Sequence, residues 1–299
     1  MRLRTNLTLQ LIMWGALLLT SAMVAQTGLV RLPADFVATN AVIEPVKLGL
    51  GYTEGPAIDA AGNLYFSEFG QPHKIWKVTP NGKAEVFRSD SHDSNGLAID
   101  SKDRLVITQR GRIVRVEKDG RETVLAKDYD DLIPETNDLT LNTNGDLYFT
   151  NPVMGGLGRV FYLKSDGTLK VVLSGLKHPN GIKWVPEKSM LYLGVYADDK
   201  ILKYEVQPDG SLVKPQLFAE LARPDGLTMD VQAHLYVASH RDHTVKVYNS
   251  SGENLGQIVI NARNVSNCAF GGPDNKTLYI TGDGGVWRIG LKIAGRRYL

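Results

Sequence analysis

Six residues able to offer a side-chain oxygen to a bound group recur along this chain at nearly constant spacing. They open "EGPAIDAAGNLYFSE" at Glu54, "NGLAIDSKDRLVITQ" at Asn95, "NDLTLNTNGDLYFTN" at Asn137, "NGIKWVPEKSMLYLG" at Asn180, "DGLTMDVQAHLYVAS" at Asp225 and "NCAFGGPDNKTLYIT" at Asn267. The steps between them are 41, 42, 43, 45 and 42 residues. None is His or Cys, so the chemistry on offer is that of hard oxygen donors, which suits Ca²⁺ and similar divalent cations. Two carboxylates, Glu54 and Asp225, would balance a 2+ charge. Without a cation they would repel, and one would tend to hold a proton. Turn chemistry competes with this reading, because Asn-Gly and Asp-Gly are ordinary turn formers and would account for Asn95 and Asn267 taken alone. Glu is a poor turn residue. Glu54 sits directly before Gly-Pro at the mouth of an apolar strand, where local structure has no use for it, and is read as a ligand.

The elements that must position these residues are short strands. The second unit reads "GLAID", "RLVIT", "RIVRVEKDG" and "ETVLAKDY", and the third strand of successive units ends in Asn81-Gly82, Asp119-Gly120, Asp166-Gly167, Asp209-Gly210 or Ser251-Gly252. These pairs tolerate the positive φ of tight hairpins. Four strands recurring every forty-odd residues are the signature of propeller blades. The repeat predicts an all-β fold, a six-bladed β-propeller. Its last unit runs out one strand short after "GVWRIGLKI", and the segment Ala41 to Leu50 is expected to act as the N-terminal strand closing that blade. In such a ring the innermost strand of each blade starts beside the axis, which brings the six opening residues to one level of a central channel.

The flanks and composition bound the function. Arg2 and Arg4 followed by apolar Leu11 to Ala25 read as a secretory signal peptide over residues 1–25, with an uncleaved anchor as the alternative. Residues 26–40 are expected to be a linker and 41–299 a catalytic propeller, exported and periplasmic or secreted. Lys+Arg 34 against Asp+Glu 32 leaves no basic surplus for nucleic acid, and no later run is long enough to span a membrane. The single Cys268 excludes an internal disulfide and lies in an apolar strand, as packing does. There is no G-x-S-x-G, C-x-x-C, H-E-x-x-H or P-loop. A monomer or weak dimer is expected.

"EGPAID", "NDLTLNTNGDLYFTNP", "HPNGI", "RPDGLTMD" and "SNCAFGGPDNKTLYIT", in that order from Gly51 to the C-terminus, resemble the senescence marker protein / gluconolactonase / luciferin-regenerating enzyme family. The resemblance implies a six-bladed propeller with one catalytic divalent cation and, in many members, hydrolysis of sugar lactones. By position it makes Glu54, Asn180 and Asp225 the metal ligands, and Asn137 with Asp138 the "ND" pair whose Asn contacts substrate. Two positions depart from the family. Asn151 stands where Asp is usual, and Glu135 stands where sugar-lactonase relatives carry a substrate-binding Arg, which puts the usual aldonolactone in doubt.

The expected reaction is metal-dependent opening of a lactone ring, a hydrolase acting on a carboxylic ester. A cation, Ca²⁺ first and Zn²⁺, Mn²⁺ or Mg²⁺ as alternatives, would polarise the carbonyl and activate water. Asp225 is assigned as ligand and general base, Glu54 as ligand and charge balance, Asn180 as a neutral ligand, and Asn137 as a catalytic residue that is either a ligand or a carbonyl-orienting donor. Substrate contact is expected from Asn137, Glu135, Asn95, His73, Tyr196 and His240, with Arg110 and Arg241 as further rim candidates. The alternatives are a calcium-dependent phosphotriesterase or esterase on the same site, and a binding propeller without chemistry.

Overall fold

The computed structural model describes residues 28–70, 73–127 and 135–297. The expected signal peptide lies outside these residues, as do Gln71 and Pro72 of one rim loop. The described residues form β-strands joined by tight turns, with two single-turn 3₁₀ segments among them, Pro186–Lys188 and Tyr196–Asp198. The turns follow the sequence: Gly82, Gly120, Gly167, Gly210 and Gly252, the hairpin glycines of the repeat, all have φ between +84° and +91°. A side chain would be strained there.

The strands pack as an all-β propeller in which neighbouring sheets bury their apolar faces against each other. Tyr148, fully buried, has its ring 4.7 Å from Tyr162 of its own sheet and 4.9 Å from Trp184 of the next. Such interlocked aromatics contribute both area and geometry, at about 1.5–3 kcal/mol for each buried side chain. The result is a stiff frame around the inner strands.

Six separate blades were expected, and here the structure corrects the sequence reading: the strands form five hydrogen-bonded sheets. Three have four strands each and one has five. The remaining sheet has six strands, in the order Val265–Gly271, Thr277–Gly290, Glu44–Ile58, Leu64–Phe69, Lys74–Val78 and Ala84–Arg88. The cause is the length of Glu44–Ile58. Its first part pairs with the last long strand (Glu44↔Arg288 to Leu48↔Gly285), and its second part pairs with Leu64–Phe69. The first and last repeats are thereby fused into one sheet. The segment expected as a linker is also corrected in part, because Gly28–Arg31 pairs with Gln257–Ile260 as a fifth strand on another sheet edge.

The inner strands share one irregularity. The antiparallel register slips between Glu54 and Ala57, between Pro179 and Ile182, between Pro224 and Leu227, and between Val265 and Asn267. A bulge of this kind bends the strand and re-aims a side chain. It falls at the opening residue of four of the six repeats.

Candidate active site

The six opening residues approach one another in five of the six steps round the ring. Asn267 donates from Nδ2 to Glu54 Oε2 at 3.0 Å, and Gly96 N–H donates to the Asn137 carbonyl at 2.9 Å. A Cβ on Gly55 would lie 2.2 Å from the Asn95 carbonyl oxygen, one on Gly181 2.0 Å from the Asp225 carbonyl oxygen, and one on Gly226 1.8 Å from Asn267 Cγ. These glycines therefore serve close approach between repeats. Of the four in this ring, only Gly55 has a left-handed backbone, so the turn reading does not hold for Asn95-Gly96, Asn180-Gly181 or Asp225-Gly226. The second strands lock the ring from behind, with Ser67 Oγ donating to the Asn95 carbonyl at 2.9 Å and Thr108 Oγ1 to the Asn137 carbonyl at 2.6 Å.

Glu54, Asn180 and Asp225 are almost fully buried, at 2%, 4% and 3% exposure. Glu54 Oε2 also accepts the Gly55 N–H at 2.7 Å. Burial, with the nearby Asp138 carboxylate, pushes the Glu54 carboxyl up to about 8. Asp225 is driven well above the usual carboxylate range by burial, then by Glu54 and Asp138, while the Tyr52 hydroxyl and Asn180 amide pull the other way. Tyr52 OH donates to Asp225 Oδ2 at 3.4 Å. Three buried oxygens of the ring, Asn95 Oδ1, Asn180 Oδ1 and Asp225 Oδ1, have no hydrogen-bond partner. Orphaned acceptors beside carboxylates that cannot comfortably ionise are what a hard cation would satisfy, so these residues fit one. Among the described residues no cluster of three or more His, Cys, Asp or Glu is arranged to hold a metal, and the candidate set instead mixes two acids with amides.

Around Tyr52 runs a wall of rings. Tyr52 lies 6.1 Å from Phe69 and 5.9 Å from His240, and His240 lies 5.7 Å from Tyr196, which in turn is 4.9 Å from His178. Tyr196 OH and His240 Nδ1 share a hydrogen bond of 3.0 Å. Burial lowers the titration of both His178 and His240 below the usual imidazole range, keeping them neutral at pH 7. Tyr196 and His240, both expected at the rim, are thus brought together next to Asp225. His73 joins the wall through Phe69, but its Nε2 is held by Asp93 at 2.6 Å. Arg110 and Arg241 are likewise occupied, by Asp93 and Asp199, each at 3.3 Å. The Glu135 carbonyl accepts from Asn151 Nδ2, and Glu135 Oε2 accepts the Met154 N–H at 3.3 Å. The two departures from the family pattern therefore touch each other.

Sequence reasoning missed Tyr52, Arg223 and the role of Asp138. Tyr52 lies two residues before Glu54, so strand alternation could have placed both on one face. Asp138 and Cys268 stand where the other four repeats have Gly. Asp138 is 7% exposed, burial raises its carboxyl to about 6, and Lys183 nearby is held down to about 8. Cys268 is buried, its thiol pushed up by desolvation, and is inert packing. Below this tier a cavity of about 570 Å³ opens at the far ends of the inner strands, lined by Asp138, Lys183 and Asn267 but by none of the rim aromatics. Asp59, Asp100 and Asp230 at those far ends cap their own turns, as with Asp100 Oδ1, which accepts from Lys102 N and Arg104 N.

The fold and site define a class, the all-β propellers that gather oxygen-bearing side chains on their inner strands. Within that class the chain belongs to the SMP-30/Gluconolactonase/LRE-like family, whose pattern matches residues 52–283. It is similar to the pentonolactonase XacC of Haloferax volcanii, 30% identical over 188 residues, or 60% of this chain and 64% of that one. It is similar to the gluconolactonase of Zymomonas mobilis, 25% identical over 295 residues, spanning 85% and 82% of the two chains. Among solved structures it resembles the gluconolactonase XC5397 of Xanthomonas campestris, with TM-score 0.80 and 26% identity over 89% of this chain and 94% of that one.

Proposed function

We propose that this protein is a metal-dependent hydrolase that opens lactone rings, in the manner that its relatives' names indicate. The observation that carries the reading is the buried pair of partnerless oxygens, Asn180 Oδ1 and Asp225 Oδ1, in one ring with Glu54. Glu54, Asn180 and Asp225 would hold the cation, Ca²⁺ by the hardness of the donors. When bound, it would supply Lewis-acid polarisation of the lactone carbonyl and a more acidic water.

The chain's own residues do the rest. Glu54 supplies negative charge and is fixed in place by Gly55 N–H and Asn267. Asp225 takes the proton from the attacking water. Tyr52 holds its Oδ2 and leaves Oδ1 to face the reaction. Asn137, two places along the ring from both Glu54 and Asp225, orients the carbonyl. The neutral ring wall of Tyr52, Tyr196, His178 and His240 excludes water from one side of the substrate and donates hydrogen bonds to its hydroxyls. The pairing of Glu44–Leu48 with Gly285–Arg288 supports the reading that the N-terminal segment closes the ring, which keeps the ligands at one radius.

The test is hydrolysis by metal-stripped protein of a panel of aldonolactones, plain γ- and δ-lactones, acyl-homoserine lactones and one phosphotriester. Ca²⁺, Mg²⁺, Mn²⁺ and Zn²⁺ are added back singly. Metal-dependent lactone turnover that is lost in Glu54→Gln and Asp225→Asn is expected. Turnover of the phosphotriester alone would replace this reading with an esterase on the same site. No turnover of any member would leave a binding propeller.

A further inference from the structure

Arg223 has no role in the mechanism above, yet the structure invests in its position. It precedes Pro224 and has φ +44°, a left-handed backbone that an Arg before proline adopts only when its surroundings force it. The force is visible on both sides. Its N–H donates to Asp199 Oδ1 at 2.8 Å, and its carbonyl accepts the His240 N–H at 3.1 Å. The guanidinium is thereby laid over the Tyr196 ring, 5.6 Å from its centroid. Tyr196 is itself fixed by its hydroxyl bond to His240. His178, which holds the equivalent place in the preceding repeat, is also left-handed, at φ +59°, and packs against the same Tyr196 ring. Two strained positions thus converge on one ring above Asn180 and Asp225.

The charges nearby make the second point. Arg241 is paired with Asp199, and Lys177 and Lys200 are both paired with Asp198. Arg223 alone among these cations makes no ion pair with a carboxylate among the described residues. A planar guanidinium held over the Tyr196 ring beside its hydroxyl, and unpaired with any carboxylate among the described residues, is a fork for a planar anion.

We propose that Arg223 recognises a second anionic group on the substrate, so that the site takes lactones that carry a carboxylate, such as the lactones of sugar dicarboxylic acids. This rests on the lactonase reading for its substrate, while its binding element stands on Arg223 itself. Glu135, two repeats before Arg223 and close enough to His178 to act on its charge, gives the site a polarity: the anionic end of the substrate lies towards Arg223 and away from that acid.

The experiment compares the wild-type protein with Arg223→Met and Arg223→Lys on the 1,4-lactone of glucaric acid, on neutral gluconolactone and on 6-phosphogluconolactone. Glucarate and gluconate binding is measured in parallel by calorimetry. The wild type is expected to prefer the carboxylate lactone. In Arg223→Met the ratio of kcat/KM for the acid lactone to that for the neutral one should fall about tenfold or more, mainly through KM, as expected for a lost charge-assisted hydrogen bond. Arg223→Lys should recover part of it, and glucarate affinity should weaken in step. A ratio that does not change, or a preference for the neutral lactone, overturns the proposal, and a preference for the phosphorylated lactone overturns its carboxylate assignment. If no lactone is hydrolysed the proposed activity fails, but glucarate binding that weakens in Arg223→Met would still uphold the anion site.

Discussion

With no cation in the ring this protein should become less stable as pH rises through neutrality, the reverse of ordinary acid denaturation. Glu54 titrates near 4.5 when solvated and at about 8 in the folded ring, because burial and the Asp138 carboxylate disfavour its charge. Between those values the unfolded chain has lost the proton that the folded chain keeps. Folding stability is therefore fully present below about pH 4.5 and is lost as pH climbs to about 8. At 1.36 kcal/mol per unit, a difference of 3.5 units (8 − 4.5) corresponds to about 5 kcal/mol for this one group. For a domain of this size that is on the order of 10 °C in melting temperature. A cation bound by Glu54 and Asp225 would remove the penalty, since it neutralises the charges that burial opposes, and would add stability by linkage. The assay is a thermal melt in EDTA from pH 5 to 8.5, repeated with millimolar Ca²⁺, on the wild type and on Glu54→Gln. Gln can still accept from Gly55 N–H and Asn267, so the variant should fold, lose most of the downward slope in EDTA and gain little from Ca²⁺. An EDTA melting curve that is flat or rises over this range, unchanged in Glu54→Gln, would refute the reasoning.

Other substitutions probe the same ring. Asp225→Asn should cut lactone turnover by about 10²–10⁴, the usual worth of a general base, without unfolding the protein; full activity would dismiss Asp225 as the base. Tyr52→Phe removes the hydroxyl that stabilises ionised Asp225, so the acid limb of the pH–rate profile should move to higher pH, and a move to lower pH would contradict the hydrogen bond. Gly226→Ala would put a methyl group 1.8 Å from Asn267 Cγ and should cost about 1–3 kcal/mol of stability with loss of activity. Gly290→Ala, with nothing within 4 Å of the new methyl, is the control and should melt like the wild type.

The period of forty-odd residues made the propeller legible, because each repeat must rebuild the same four strands and the same hairpin, and glycine at positive φ cannot be substituted cheaply. It also made the ring legible, since equal positions in equal repeats land at equal height. Glu54 and Asp225 stood out by residue type as the two acids of the ring, whereas Asn180 was set apart from the other asparagines by the family resemblance. Other features lay beyond what a linear pattern carries. The meaning of Gly96, Gly181 and Gly226 was one: a glycine needed for contact with a neighbouring repeat looks the same in sequence as a glycine needed for a turn. Rim residues were another. His73, Arg110 and Arg241 sit on the right loops, but ion pairs with Asp93 and Asp199 commit them elsewhere.

The sequence by itself determined the strand content, the turns, the level of the ring and the donor type at each of its positions, because these depend on local propensity and on repetition. Tertiary structure decided the rest. Only folding joined the first and last repeats into one sheet through the long strand Glu44–Ile58, a pairing of residues more than two hundred positions apart. Only folding set Tyr52 on Asp225 and buried three carboxylates within reach of each other, so that Coulomb repulsion and desolvation, neither of which a sequence displays, govern the chemistry of the site.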